Sequence, residues 1–249
     1  MKSVKGIIHI HSNCSYDGKH SLEEIAQHGI KRGYSFIGMT EHSDTLNEER
    51  MVEYVKECQN VSSQDCLIFP GIEFTCENDL HLIGLGVRHY TEKKGPLEVA
   101  KFIRQQDGIA IIAHPFRNNY RLHSNLFSIV DGIEVWNTAY DGRFVPNIHS
   151  LILLRNLRKN GYSILGFGGQ DLHQIRDHMS VEVSLSIENL TEKSLFLALK
   201  GGHYRISNSH LSVSPGGDTN LLRLVQIGFA RKIYELALQI RNKFKKEED

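Results

Sequence analysis

The chain has 249 residues, with 29 Lys and Arg against 29 Asp and Glu and 40% hydrophobic residues. That suffices for one large globular domain with a modest appendage, since a chain of this length buries roughly 70 to 75% of its unfolded surface. Only 21 Gly and 5 Pro, and no apolar run near the roughly 20 residues of a membrane span, exclude collagen-like, Pro-rich and membrane-spanning classes, and zero net charge argues against long nucleic acid.

Short β-type apolar runs are predicted at 4–10, 36–40, 66–72, 82–87, 109–113, 132–136, 163–167 and 181–187. Helical periodicity lies between them at 21–32, 48–60, 96–107, 147–160 and 191–200. This alternation predicts βα units around a largely parallel sheet, an α/β fold. Ser21 followed by Glu24 is a capping-box pattern, and Gly33 and Gly161 stand where helices end. Residues 212–220 form a Ser/Pro/Gly turn region, after which 221–246 reads as one long amphipathic helix, either packed on the domain or serving as a dimer contact. The expected division is therefore 1–210 and 211–249. Four cysteines (Cys14, Cys58, Cys66, Cys76) form no Cys-x-x-Cys pair, and no apolar signal core follows the N-terminus, so a cytoplasmic protein with reduced thiols is expected.

The 14 histidines carry more information than their number does. His9 and His11 end the first predicted strand, and period-2 geometry points both to one face. The second strand runs into Glu41-His42, the third into Glu73, and His81 opens the fourth. Further on, apolar runs end in His114-Pro115, Asn137 and Asp171-Leu172-His173. In a parallel βα barrel, groups at strand C-termini assemble at one mouth. A single buried histidine needs no metal to be satisfied, but histidines recurring at strand ends point to a shared ion. Imidazoles with carboxylates suit zinc, manganese or iron, and the ligands outnumber what one ion takes, which implies at least two metals.

His9-Ile10-His11-Ser12, Asp17-Gly18, Thr40-Glu41-His42, Gly71-Ile72-Glu73, His81, Ala113-His114-Pro115 and Asp171-Leu172-His173, in that order, resemble the PHP (polymerase and histidinol phosphatase) superfamily. The resemblance implies a distorted seven-stranded, TIM-like β/α barrel that hydrolyses phosphoesters at a trinuclear metal site, with a C-terminal helical extension added here. It places a first ion on His9, His11, Glu73 and Asp171, with Glu73 bridging to a second on His81 and His114. His42 and His173 would hold a third, with Asp17 standing where several members carry histidine. Glu41 also departs from the family's usual Thr-Asp-His.

The implied reaction is in-line attack by a hydroxide held between metals, with Glu73, Asp171 and His173 as the catalytic side chains. Arg117 and Arg143 are candidate phosphate grips, because a guanidinium matches phosphate in a bidentate manner. Asn137 and His203 are weaker substrate candidates. The expected substrate is the phosphomonoester of a small metabolite, such as histidinol phosphate or a nucleotide, acting with two or three divalent ions, no membrane and a possible homo-oligomer. A phosphodiesterase or exonuclease on short oligonucleotides, and a non-catalytic metal-binding barrel, are the alternatives.

Overall fold

A computed structural model describes residues 1–217 and 221–247, apart from the side chains of 221–223 and 238–247. Residues 218–220 of the expected turn region and the last two of the charged tail lie outside them. The first half of the chain comprises β1 (Lys2–Ile10), α1 (Leu22–Lys31), β2 (Phe36–Met39), β3 (Glu41–His42), α2 (Glu48–Val61), β4 (Leu67–Phe69), β5 (Gly71–Thr75), β6 (His81–Leu85) and α3 (Pro96–Gln105). The rest comprises β7 (Ile109–Ile112), β8 (Gly132–Asn137), α4 (Thr138–Asp141), α5 (Ile148–Lys159), β9 (Leu165–Gly169), β10 (Glu182–Ile187), α6 (Glu192–Lys200), β11 (Tyr204–Ser207), β12 (Ser212–Val213) and α7 (Leu221–Glu247).

Local chemistry sets most of these boundaries. Ser21 and Glu24 form the reciprocal capping box that opens α1, and Thr191 with Ser194 does the same for α6. Gly33 and Gly161, at φ 70° and 87°, follow α1 and α5 in the left-handed conformation that ends helices. The third predicted run, 66–72, is split into β4 and β5 at Pro70, which has no N–H to offer a ladder. Ser212 and Val213, within the expected turn region, instead pair antiparallel with β11.

The strands form two six-stranded sheets, in the orders β12-β11-β10-β1-β2-β4 and β3-β5-β6-β7-β8-β9. The sheets run into one another because β3 follows β2, and β5 follows β4, after a one-residue break. They meet again where Gln170 N–H donates to Ile8 O, Leu172 N–H to His9 O and His11 N–H to Leu172 O, joining the end of β9 to the end of β1. The two sheets are therefore also linked along β1, whose first half pairs with β10 and whose end meets the segment after β9. Ile7, Ile8, Phe36, Ile37, Ile111, Ile112, Trp136 and Phe167 are all buried, so the strands read as nearly unbroken apolar runs, as parallel strands covered on both faces do.

Among the described residues, β10 and β12 run against their neighbours at one edge of the first sheet, and β6 does so inside the second. β6 is antiparallel to both β5 and β7, because the five residues between β5 and β6 are too few for a parallel crossover. The reversal brings the start of β6 to the rim where its neighbours end. His81 therefore opens its strand, whereas His9, His11, His42, His114 and Asp171 lie at or within two residues of the ends of theirs, and Glu73 lies in the middle of β5.

Helix α7 packs against α5, burying Leu224 and Ile227, and Arg231 donates to the Asp141 carbonyl (2.8 Å) at the end of α4. Asp141 is buried, and burial pushes its carboxyl up to about 6, outweighing the stabilising contacts from Asn137 N–H, the Asn147 amide and Arg231. A carboxyl whose folded value is raised adds stability that is full below its unfolded value near 4 and is lost as pH rises through about 6. The stability of Asp141→Asn relative to the natural chain is thus expected to rise by about 2 to 3 kcal/mol between pH 4 and pH 7.5 in urea unfolding. A pH-independent difference would remove Asp141 as the cause.

Candidate metal centre

The candidate ligands converge on Glu73. Its Oε1 lies 2.8 Å from His81 Nδ1 and 2.9 Å from His114 Nε2, and its Oε2 lies 3.2 Å from His42 Nδ1, 3.4 Å from His11 Nε2 and 3.5 Å from His9 Nε2. Asp171 Oδ1 approaches His9 and His11 Nε2 at 3.5 and 3.6 Å. Asp17 spans the remaining pair, with His42 Nε2 at 3.3 Å and His173 Nε2 at 3.1 Å. His11 stacks between His42 and His173, its ring 4.3 Å from each.

Three overlapping ligand groups result, each with its donor atoms within 4.8 Å of one another: His9, His11, Glu73 and Asp171; Glu73, His81 and His114; and His11, His42 and His173. The third contains His11 as well as the two expected histidines, while Asp17 borders it. The backbone reaches this arrangement by leaving regular strand geometry. His9, His114 and Asp171 have φ of 65°, 23° and 51°, and the β1 register shifts around His9. His9 and His11 therefore meet through a kink and not through the period-2 alternation expected of a straight strand.

The charges agree with a cation-binding role. Burial alone would raise the Glu73 carboxyl, but His9 and hydrogen bonds from His114, His42 and His81 hold it well below the usual carboxylate range. Asp171 is likewise held low, burial being outweighed by His9 and His11. Burial pushes the His11 imidazole down to about 4, so it is a neutral donor at physiological pH. The residues fit divalent ions by a second criterion: of seven buried side-chain nitrogen or oxygen atoms left without a hydrogen-bond partner among the described residues, five belong to this cluster. They are His9, His11, His81 and His173 Nε2 and Asp17 Oδ1. Buried polar atoms are normally paired, and orphans concentrated in one place face a missing partner.

The other candidates are dispersed. Arg117 is exposed at the rim and pairs with Asp79 (3.2 Å), whose Oδ1 also lies 3.5 Å from His81 Nε2. Arg143 is exposed and stacks over Phe144, with its carbonyl accepting from Asn208. His203 is also exposed. Glu41 is buried and accepts from Ser12 N–H and the Ser12 and Ser15 hydroxyls, so it braces the loop after β1. Burial holds the Cys14 thiol above its ordinary range, which disfavours a thiolate nucleophile.

Several residues escape sequence reasoning. Glu134 on β8 is buried, and His9 Nδ1–H and His114 N–H both donate to it at 2.7 Å. A lone carboxylate in the otherwise apolar 132–136 run was the available signal. Tyr16, exposed, stacks on His42, and Tyr140 stands 5.1 Å from His114. A cavity of about 870 Å³ opens beside the cluster, sharing Asp79 and Arg117 with its rim and lined further by Asn118, Arg121, His123 and Asn125.

A PHP domain family model matches residues 8–159, more than half of the chain, and the chain belongs to that family. The family model shows the PHP domain, and the donor set at its centre fits divalent cations. Among solved structures, the fold is shared with a two-domain protein containing a predicted PHP-like metal-dependent phosphoesterase from Bacteroides vulgatus ATCC 8482 (TM-score 0.67, 15% identity, 86% of this chain and 67% of that one). It is also shared with the lesion-specific endonuclease PfuEndoQ from Pyrococcus furiosus (TM-score 0.60, 16% identity, 86% and 59%). In sequence, the chain is 35% identical over 78 residues to the DNA polymerase/3'-5' exonuclease PolX of Bacillus subtilis (strain 168), a match spanning 28% of this chain and 14% of that protein. No helix among the described residues is long and apolar enough to cross a membrane.

Proposed function

We propose that the chain hydrolyses the phosphomonoester of a small metabolite, using two or three divalent ions held by the three ligand groups. The observation that carries this reading is the meeting of His9, His11, Glu73, His81, His114 and Asp171 around unpaired buried nitrogens. Bound zinc, manganese or iron would supply Lewis acidity at the phosphoryl oxygens and make water acidic enough to ionise near neutral pH. Glu73 and Asp171 hold the negative charge that retains such ions, and Asp17, His42 and His173 border the third position. Arg117 binds a phosphoryl oxygen at the rim by exchanging its contact with Asp79. With no ion at the third position, His173, half-buried, would be free to hold a proton for the leaving alkoxide. Arg143, exposed and turned over Phe144, is the weaker phosphate grip of the two arginines.

The match to the polymerase/exonuclease favours a second reading, hydrolysis at oligonucleotide ends. Zero net charge supports the first, since backbone affinity for nucleic acid rests on clustered cations. With Mn²⁺ or Zn²⁺ bound, p-nitrophenyl phosphate is expected to turn over at least about tenfold faster than bis-p-nitrophenyl phosphate, a barrier difference of about 1.4 kcal/mol. The reverse preference would favour the oligonucleotide reading. Silence on both esters, with metal content verified, would leave a metal-binding barrel without this activity.

A further inference from the structure

Glu134 is 2% exposed and, among the described residues, forms its only ion pair with His9. A buried carboxylate without a Lys or Arg partner is disfavoured unless its contacts are needed. Those contacts are specific. Oε1 accepts from His9 Nδ1–H at 2.7 Å, and Oε2 accepts from His114 N–H at 2.7 Å and from the Asn137 side-chain amide at 3.0 Å. The same amide nitrogen lies 3.3 Å from Asp171 Oδ2. Glu134 and Asn137 together thus touch His9, His114 and Asp171, which are the three candidate ligands with left-handed backbone. Such conformations persist only where their surroundings over-determine them.

Two features of the sheet build this contact. The β8–β9 register shifts between Glu134 and Trp136, and a bulge there lets Glu134 and Asn137, three residues apart, reach the same interior site. Gly169 on β9 provides the room: a Cβ there would meet Glu134 Oε1 at 1.9 Å and His9 Cβ at 3.0 Å. No contact links Glu134 to His42, His173 or Asp17 among the described residues.

We propose that Glu134, with Asn137, is the positioning residue of the first two ion sites: it fixes the His9 tautomer with Nε2 free and braces the backbone of His114, leaving the His42–His173 site to form without it. A carboxylate can only accept, so it keeps the proton on Nδ1 and directs the Nε2 lone pair inward, toward Glu73 and Asp171. The inference rests on the reading of the cluster as a metal centre.

The test is Mn²⁺ binding by calorimetry and elemental analysis on the full chain, comparing the natural sequence with Glu134→Gln, together with ¹⁵N spectra of the His9 ring. Glu134→Gln is expected to lower Mn²⁺ affinity by about 10- to 100-fold, to lose at least one equivalent of metal, and to shift the His9 proton from Nδ1. Asn137→Ser, which removes the amide without adding charge and keeps a hydroxyl to cap α4, keeps the test decisive if the first variant does not fold, and a loss of Mn²⁺ affinity is expected from it too. Unchanged affinity and stoichiometry in a folded variant, with only the melting temperature lowered, would overturn the proposal and leave Glu134 a structural residue. A natural chain that binds no divalent ion would overturn the metal-centre reading itself.

Discussion

Glu73→Gln is expected to abolish metal-dependent hydrolysis, with kcat/KM falling by at least about a thousandfold. The effect is large because one carboxylate serves two ligand groups and lies within 3.5 Å of five imidazoles, His9, His11, His42, His81 and His114. Removing a single fixed electrostatic contact from a transition state typically costs about 10²- to 10³-fold, and here two groups lose their shared anion. Glutamine fills the same volume, so the core around it need not collapse. Hydrolysis of p-nitrophenyl phosphate, with metal content measured on the same sample, is the check. Turnover retained alongside a full metal complement would contradict the assignment of Glu73.

Chelation should be nearly as consequential for stability. An ion bound only by the folded state adds about 2.7 kcal/mol when its free concentration is 100-fold above its dissociation constant. For a chain of this size each kcal/mol moves the melting temperature by about 2 to 4 °C, so stripping two ions is expected to lower it by about 10 °C or more. The physical origin is visible in the cluster: Glu73, Asp171 and Glu134 are buried together, and without cations only histidine protons offset their charge. Mn²⁺ added after dialysis should restore both the melting temperature and hydrolysis. Identical melting curves before and after chelation would show that no ion contributes to folding.

Much of this site was legible in the amino-acid order. A strand end needs only an apolar run and a polar residue after it, and that pattern marked Glu73, His114, Asp171 and His173, while the capping residue Ser21 marked a helix start. Glu134 was not legible as part of the site, because a strand interior of Gly-Ile-Glu-Val-Trp gives no hint of which neighbour its one acid will meet. Arg117 and Arg143 looked alike as post-strand arginines, yet one pairs with Asp79 at the rim and the other stacks on Phe144.

By itself, the sequence determined the α/β alternation, the caps and which side chains have ligand chemistry, because these depend on periodicity and residue type within a few positions. Only the tertiary structure decided that β6 reverses, that His9, His114 and Asp171 take left-handed backbone, and that Glu134 and Gly169 fit against each other. Those outcomes depend on pairings between segments up to 160 or more residues apart, such as Ile10 with Leu172, whose register no local pattern specifies.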